Sequence, residues 1–324
     1  MTTSLVEGVT HRFIETNGIR MRIAEAGEGP LVVLAHGWPE SWYSWRHQII
    51  ALAAAGFHVV APEMRGYGAT DAPDAEEAYN IIELAADLIG VIDEMGADRA
   101  HLVGHDWGSM VAANTALFHP DRLHSVTLMS VPFNGRPDTP PLITLGALFG
   151  DAFFYINYHN EPGGVAEAEY DADPEKLLRR LYVSPDAPRS EPEVTDPLRA
   201  AGGWIPRLGE PDNAPAWFEP GDLDVVVHQF RSCGFRGGLN YYRNFDRNWE
   251  LTEAYTGATI DVPMLFLAGA DDAVIMGADA DALRSGMAAT DLRDVVILPK
   301  IGHWVQQEAP AKTSAALLEF FQRF

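Results

Sequence analysis

Apolar residues along the first third of the chain alternate between continuous runs and helical spacing. Two strand-like runs, Arg12-Phe13-Ile14-Glu15-Thr16 and Ile19-Arg20-Met21-Arg22-Ile23, meet across Asn17-Gly18. Asn-Gly suits the positive-φ positions of a two-residue turn, so a β-hairpin is expected. Leu31 to Ala35 is wholly apolar and bounded by Gly29-Pro30 and Gly37, which predicts a fully buried strand. Val59-Val60-Ala61, His101-Leu102-Val103 and Ser125 to Met129 read the same way. Between these runs Ser41 to Ala55 and Met110 to Phe118 predict helices. Ile81 to Met95 does so more sharply, with apolar side chains at 81, 84, 85, 88, 89, 92 and 95. Buried strands alternating with amphipathic helices imply an α/β fold whose mostly parallel sheet is covered on both faces.

The pattern stops near Asn134 and returns after Trp249. It resumes with a strand from Met264 to Ala268, a helix from Ala280 to Met287, a strand from Val295 to Leu298 and a helix from Ala309 to Phe321. The expected organisation is therefore a sheet domain made of residues 1–133 and 250–324, interrupted by an insertion at 134–249. Prolines at 185, 188, 192, 197, 206, 211, 215 and 220 predict an extended loop wrapping the surface of that insertion.

Composition narrows the function classes. The 324 residues carry 46 acidic and 23 basic side chains, a formal charge of −23. Nucleic acid needs clustered Lys and Arg, and anionic membranes repel such a surface, so neither is an expected partner. The longest apolar helix candidate, Ile81 to Met95, is interrupted by Glu83, Asp87, Asp93 and Glu94, so no membrane insertion is expected. Met1 to Glu7 shows no basic segment leading into an apolar core, and Cys233 is the single cysteine. Both features fit a cytoplasmic location.

Candidate chemistry gathers at the ends of the apolar strands, where open α/β sheets bind ligands. Gly104-His105-Asp106-Trp107-Gly108 has the form of a nucleophile elbow with Asp106 at its centre. The glycines would permit the sharp turn that lifts the Asp106 side chain into a cleft. His36-Gly37-Trp38-Pro39 follows another buried strand and can offer the Trp38 N–H to an oxyanion hole, with the Trp107 N–H as partner. Asp271-Asp272 and Gly302-His303 close the last two strands. Of the two carboxylates Asp272 is preferred as the acid, Asp271 serving the turn. Nucleophile, acid and histidine then follow the α/β-hydrolase order. His105 is expected to point away from the cleft by strand alternation and, like His36, to be structural. The other histidines, among them His47, His58, His119 and His124, form no metal-binding spacing, so no metal is expected.

Taken together the motifs resemble the epoxide hydrolases of the α/β-hydrolase fold family, of the soluble microbial type. His36 to Pro39 resembles the family's HGxP, Arg65-Gly66-Tyr67-Gly68 its RGYG, and Gly104 to Gly108 its elbow. Inside the insertion, Tyr155 to Gly163 and Gly234 to Asn244 resemble the two segments of a mainly helical cap. The resemblance implies Tyr155 and Tyr242 as ring-opening acids, with Tyr158 and Tyr241 beside them as core packing. It implies Asp106 as nucleophile, His303 with Asp272 as the water-activating pair, and Trp38 and Trp107 as both oxyanion donors and pocket walls. The implied substrate is a small epoxide with water, and no cofactor is needed. The resemblance is compatible with a homodimer. A hydrolytic dehalogenase and a non-catalytic ligand-binding homologue remain alternatives on the same fold. Against the dehalogenase stand the proline after Trp38, the absence of an acid in Ser130-Val131-Pro132, the lack of an arginine in Trp107-Gly108-Ser109, and the two tyrosines.

Overall fold

The computed structural model describes residues 5–324. Met1 to Ser4, part of the stretch read for a leader, lie outside the described residues. Eight strands form one sheet in the order β1-β2-β4-β3-β5-β6-β7-β8. They are β1 (Thr10–Thr16), β2 (Ile19–Ala26), β3 (Leu31–Ala35), β4 (His58–Pro62), β5 (Ala100–His105), β6 (Leu123–Met129), β7 (Met264–Gly269) and β8 (Leu292–Leu298). The hairpin β1–β2 and the β2–β4 pair are antiparallel, and all other pairs are parallel. Helices α1 (Arg46–Ala54), α2 (Ile81–Glu94) and α3 (Trp107–Phe118) connect the first strands; α11 (Ala280–Gly286), α12 (Val305–Glu308) and α13 (Pro310–Phe321) complete the core.

The apolar stripe of α2 packs inward, burying Ile81, Leu84, Leu88, Val91 and Ile92. Its first turn is closed by the Asn80 side chain, which accepts from the N–H groups of Ile82 and Glu83 at 3.0 and 3.2 Å. Ser41 to Ala55 is not one helix. Ser41 Oγ accepts the Tyr43 N–H, and this tight turn starts a 3₁₀ segment, Trp42–Trp45, before α1. Strand β8 begins three residues earlier than the apolar run suggested, because at the sheet edge Arg293 and Asp294 can face solvent.

Between β6 and β7 the chain is helical, with no strand paired into a sheet. It forms α4 (Pro141–Phe149), α5 (Tyr155–His159), α6 (Val165–Ala172), α7 (Pro174–Leu181), α8 (Asp222–Cys233), α9 (Arg236–Arg243) and α10 (Phe245–Leu251). Helix α10 runs through position 249, the expected end of the insertion. The proline-rich stretch contains only two 3₁₀ turns, Arg199–Ala201 and Ile205–Arg207. It does not stay on the surface: Trp204 and Ile205 turn inward and pack on the core cluster.

Two contacts seat this layer on the sheet domain. A Cβ on Gly237 would lie 2.3 Å from the carbonyl oxygen of Gly66, so glycines let α9 touch the Arg65–Gly68 turn backbone to backbone. The Tyr241 hydroxyl donates to the Arg65 carbonyl at 3.0 Å. Arg65 is itself fixed by the buried Asp87 of α2, through Nε at 2.8 Å. Elsewhere Arg46 Nη2 meets the buried Asp222 carboxylate at 2.6 Å, and the Tyr43 hydroxyl donates to the same group at 2.8 Å. Each buried charge has a partner, which keeps its desolvation from opening the joint.

Glycine substitutions test the packing around β5. A Cβ at Gly104 would sit 2.0 Å from the Gly108 carbonyl, whereas nothing lies within 4 Å of one at Gly146 in α4. Gly104→Ala should cost more than about 2 kcal/mol in denaturant unfolding. Gly146→Ala should gain about 0.5–1 kcal/mol. Equal effects would contradict the packing described.

Candidate active site

Strand β5 ends at His105, and the next residue, Asp106, takes φ 52° and ψ −116°. This sparsely populated conformation costs about 1–3 kcal/mol in a non-glycine residue and persists only where its surroundings enforce it. The surroundings are tight. A Cβ on Gly37 would lie 2.4 Å from Asp106 Cβ, and one on Gly108 would lie 2.0 Å from the Ala35 carbonyl oxygen. The Asp106 N–H donates to the Met129 carbonyl at 3.2 Å. Helix α3 starts at the following residue, so its positive end faces the carboxylate.

The two oxygens of Asp106 have different neighbours. Oδ1 accepts the Trp38 N–H at 2.8 Å. The Trp107 N–H also bonds the carboxylate. Oδ2 faces His303 Nε2 at 3.7 Å, beyond a direct hydrogen bond. On the other side of the imidazole, Nδ1 lies 3.1 and 3.0 Å from the two oxygens of Asp272. Asp272 is buried and Asp271 is exposed, so the carboxylate behind the imidazole is the one preferred from sequence. Burial raises the Asp106 pKa, outweighing the nearby imidazoles and the two N–H donors. Burial works against protonation of His303, but the charge and hydrogen bond of Asp272, then Asp106, raise it to about 9. Asp272 moves down: burial opposes ionisation but is outweighed by the same imidazole. The resting His303 is thus an imidazolium held between the ionised Asp272 and the Asp106 carboxyl group.

The tyrosines of the helical layer close over this line. Tyr242 packs edge-on against Trp38 at 5.7 Å and Trp107 at 5.1 Å, between ring centroids. Tyr155 lies 6.1 Å from Tyr242. Burial and then the Asp106 charge raise both phenols above their ordinary value, so both remain proton donors at neutral pH. Tyr241 and Tyr158 are occupied elsewhere: the first donates to Arg65, and the second bonds Glu169. The structure therefore brings together Asp106, His303, Asp272, Tyr155, Tyr242, Trp38 and Trp107.

The fold and this geometry can be set against known proteins. A family model for the alpha/beta hydrolase fold matches residues 30–310. Epoxide hydrolase A of Mycobacterium tuberculosis is 47% identical over 315 residues, covering 96% of this chain and 97% of its own. Epoxide hydrolase 2 of Siraitia grosvenorii is 37% identical, covering 98% and 100%. The crystal structure of epoxide hydrolase A from Mycobacterium thermoresistibile superimposes with a TM-score of 0.89 at 49% identity, covering 97% of this chain and 98% of that one. This chain belongs to the epoxide hydrolase family of the α/β hydrolase fold.

Sequence reasoning missed one group behind the site of this epoxide hydrolase. Glu40 is fully buried. Its Oε2 accepts the Gly37 N–H and faces His105 Nδ1, both at 2.8 Å, while Oε1 accepts from Gln306 at 2.8 Å. His105 Nε2 meets the His303 carbonyl, also at 2.8 Å. The His105 ring thus bridges the Glu40 carboxylate and the His303 backbone. The expectation that His105 points away fails. Asp106 is not in strand conformation, so alternation breaks at the elbow, and His105 lies 4.8 Å ring to ring from His303. His36 is a structural hydrogen-bonding group, as expected: Nε2 accepts the Met64 N–H at 3.1 Å, and burial lowers its pKa to about 4. Glu308 clamps the His303 loop, accepting from Gly302 and Trp304 N–H at 2.9 Å each. An apolar cavity of about 310 Å³ is walled by Met110, Leu117, Phe133, Phe245 and Trp249 and contains neither Asp106 nor His303. It lies beside the site without being part of it.

Removing Glu40 would leave the buried Gly37 N–H, the His105 ring and the Gln306 amide without their shared partner. Glu40→Ala should lower the unfolding free energy by about 2–4 kcal/mol, and Glu40→Gln should lower it less. An alanine variant within about 1 kcal/mol of the parent in urea titrations would contradict the pairing.

Proposed function

We propose that the protein converts epoxides to vicinal diols through an ester on Asp106. The observation that carries this reading is the division of labour between the Asp106 oxygens. Oδ1 accepts the Trp38 N–H while the Trp107 N–H also bonds the carboxylate, and Oδ2 is left facing His303 on the side closed by Tyr155 and Tyr242. An epoxide carbon is saturated and reacts by back-side displacement, for which a carboxylate needs no prior deprotonation. Oδ2 attacks the ring carbon, the C–O bond breaks, and the departing oxygen takes a proton from one of the two phenols. Water then attacks the ester carbonyl, losing a proton to His303 Nε2. Oδ1 becomes the oxyanion stabilised by the two N–H donors. Collapse breaks the Cγ–Oδ2 bond, and the departing alkoxide takes the remaining proton of the added water as the diol leaves. The proton taken by His303 restores the phenol, so epoxide plus water gives diol and Asp106 returns as carboxylate. Neither step draws on a metal or organic cofactor.

The raised His303 pKa fits the order of the steps. Ester formation removes the negative charge of Asp106, one of the groups that raise the imidazole. Its pKa then falls, and the neutral base needed for water appears in the intermediate. Residues 134–249 act on this reading as a cap that carries the proton donors. The dehalogenase alternative assigns no role to paired phenols above the carboxylate.

His303→Gln tests this directly. Mixed with styrene oxide, it should accumulate about one adduct per chain on Asp106, with the full mass of the epoxide. Diol release should fall about 10²–10⁴-fold. Adding Tyr155→Phe and Tyr242→Phe should abolish the adduct. In the unmodified protein the acid-quenched ester fraction should grow as pH is lowered, because protonated His303 cannot activate water. No adduct in a folded His303→Gln protein would refute the reading.

A further inference from the structure

The proline-rich loop delivers one side chain to the centre of the site. Trp204 is half-buried, and its ring lies parallel to two others: Trp38 at 5.8 Å and 12°, and Tyr155 at 4.9 Å and 17°. Tyr155 begins the five-residue helix α5, too short to fix a side chain by its own rigidity. Its other ring neighbours stand at steep angles: Phe154 at 59°, His159 at 74° and Tyr242 at 82°. Trp204 is the neighbour that lies against the face of the Tyr155 ring. Its own position is fixed by backbone contacts rather than by regular secondary structure. The N–H groups of Trp204 and Ile205 donate to the two oxygens of Glu169 at 2.9 and 3.1 Å. The Tyr158 hydroxyl bonds the same carboxylate. The Glu169 carboxylate is seated against Gly203, where a Cβ would lie 2.3 Å from Oε1. Arg180 Nη1 holds the far side, donating to the Ile205 and Leu208 carbonyls at 2.7 and 2.9 Å.

We propose that Trp204 is a positioning residue for epoxide opening: stacked against Trp38 and Tyr155, it sets where the Tyr155 hydroxyl points relative to Asp106. The inference rests on the ester mechanism above and goes beyond it by assigning a task to the irregular loop. The stack joins the ring of the oxyanion residue Trp38 to the proton donor, so the loop ties the two ends of the reacting geometry together. Displacement of a catalytic group by about 1 Å can cost about a hundredfold in rate. The effect belongs to the first step alone, because water attack depends on His303, Asp272 and the two N–H donors.

Trp204→Ala, Trp204→Leu and Trp204→Phe are made in the His303→Gln background, where ester formation from styrene oxide is followed by rapid quench and intact mass. Each is also made with His303 present, where single-turnover decay of the ester reports water attack. The alanine and leucine variants should form the ester about ten- to a hundredfold more slowly, and phenylalanine should restore it to within about threefold. Ester decay should stay within about twofold of the parent in all three. Leucine keeps an apolar side chain in the loop, so it answers even if the alanine variant loosens the layer. Unchanged ester formation in the alanine and leucine variants would overturn the proposal. So would equal slowing of both steps, the signature of general loosening. If the His303→Gln parent forms no ester at all, the fault lies with the underlying mechanism rather than with Trp204.

Discussion

The whole site hangs on holding one aspartate in a backbone conformation it would not choose. Asp106 sits at φ 52° because the chain must pass from β5 into α3 without room for a wider turn. Gly37, Gly104 and Gly108 bring three backbone segments closer than any side chain would allow. Those same contacts bring the Trp38 N–H to the carboxylate and set the α3 N-terminus beneath it. The strain at Asp106 is thus offset by sheet packing and by hydrogen bonds to the group it presents. His303 and Asp272 follow from the order of the parallel strands: β7 pairs with β6 and β8 with β7, so their loops open on the same edge as the elbow.

On the proposed mechanism a second layer supplies what the sheet lacks, a proton donor opposite the nucleophile. That layer is placed by the glycine contact between α9 and the Arg65–Gly68 turn and by the Tyr241 bond to Arg65. Adjacent residues on a helix point about 100° apart. Anchoring Tyr241 to the core therefore swings Tyr242 over Trp107 and towards Asp106. Electrostatics agree with the geometry: burial and the Asp106 carboxyl group keep both phenols protonated, while the two acids beside His303 raise its pKa to about 9. The net charge of −23 has little part in this, since an epoxide carries no charge to steer.

Much of this was legible in the sequence because buried parallel strands are written as unbroken apolar runs. Leu31 to Ala35 and Met264 to Ala268 needed no other signal. The start of β8 did not show, since an edge strand tolerates Arg293 and Asp294. The motif residues were legible through short, glycine-marked patterns whose spacing has a steric cause. Glu40 was not: a glutamate after a Gly-Trp-Pro turn reads as solvated, and its partners His105 and Gln306 lie 65 and 266 residues away. Trp204 was hidden for a different reason, since a proline-rich loop has no period from which an inward-facing position can be read. Tyr155 was singled out over Tyr158 by the motif resemblance and not by periodicity, because residues three apart share a helix face.

The central claim is that Asp106 becomes covalently bonded and is regenerated by water attacking its own carbonyl carbon. Repeated turnover in H₂¹⁸O, followed by proteolysis and mass analysis of the peptide containing Asp106, tests it most directly. Each cycle should replace the attacking Asp106 oxygen with one from solvent, so that peptide gains ¹⁸O in its carboxylate while other peptides stay unlabelled. An active enzyme whose Asp106 peptide remains unlabelled, with ¹⁸O found only in the diol, would contradict the account.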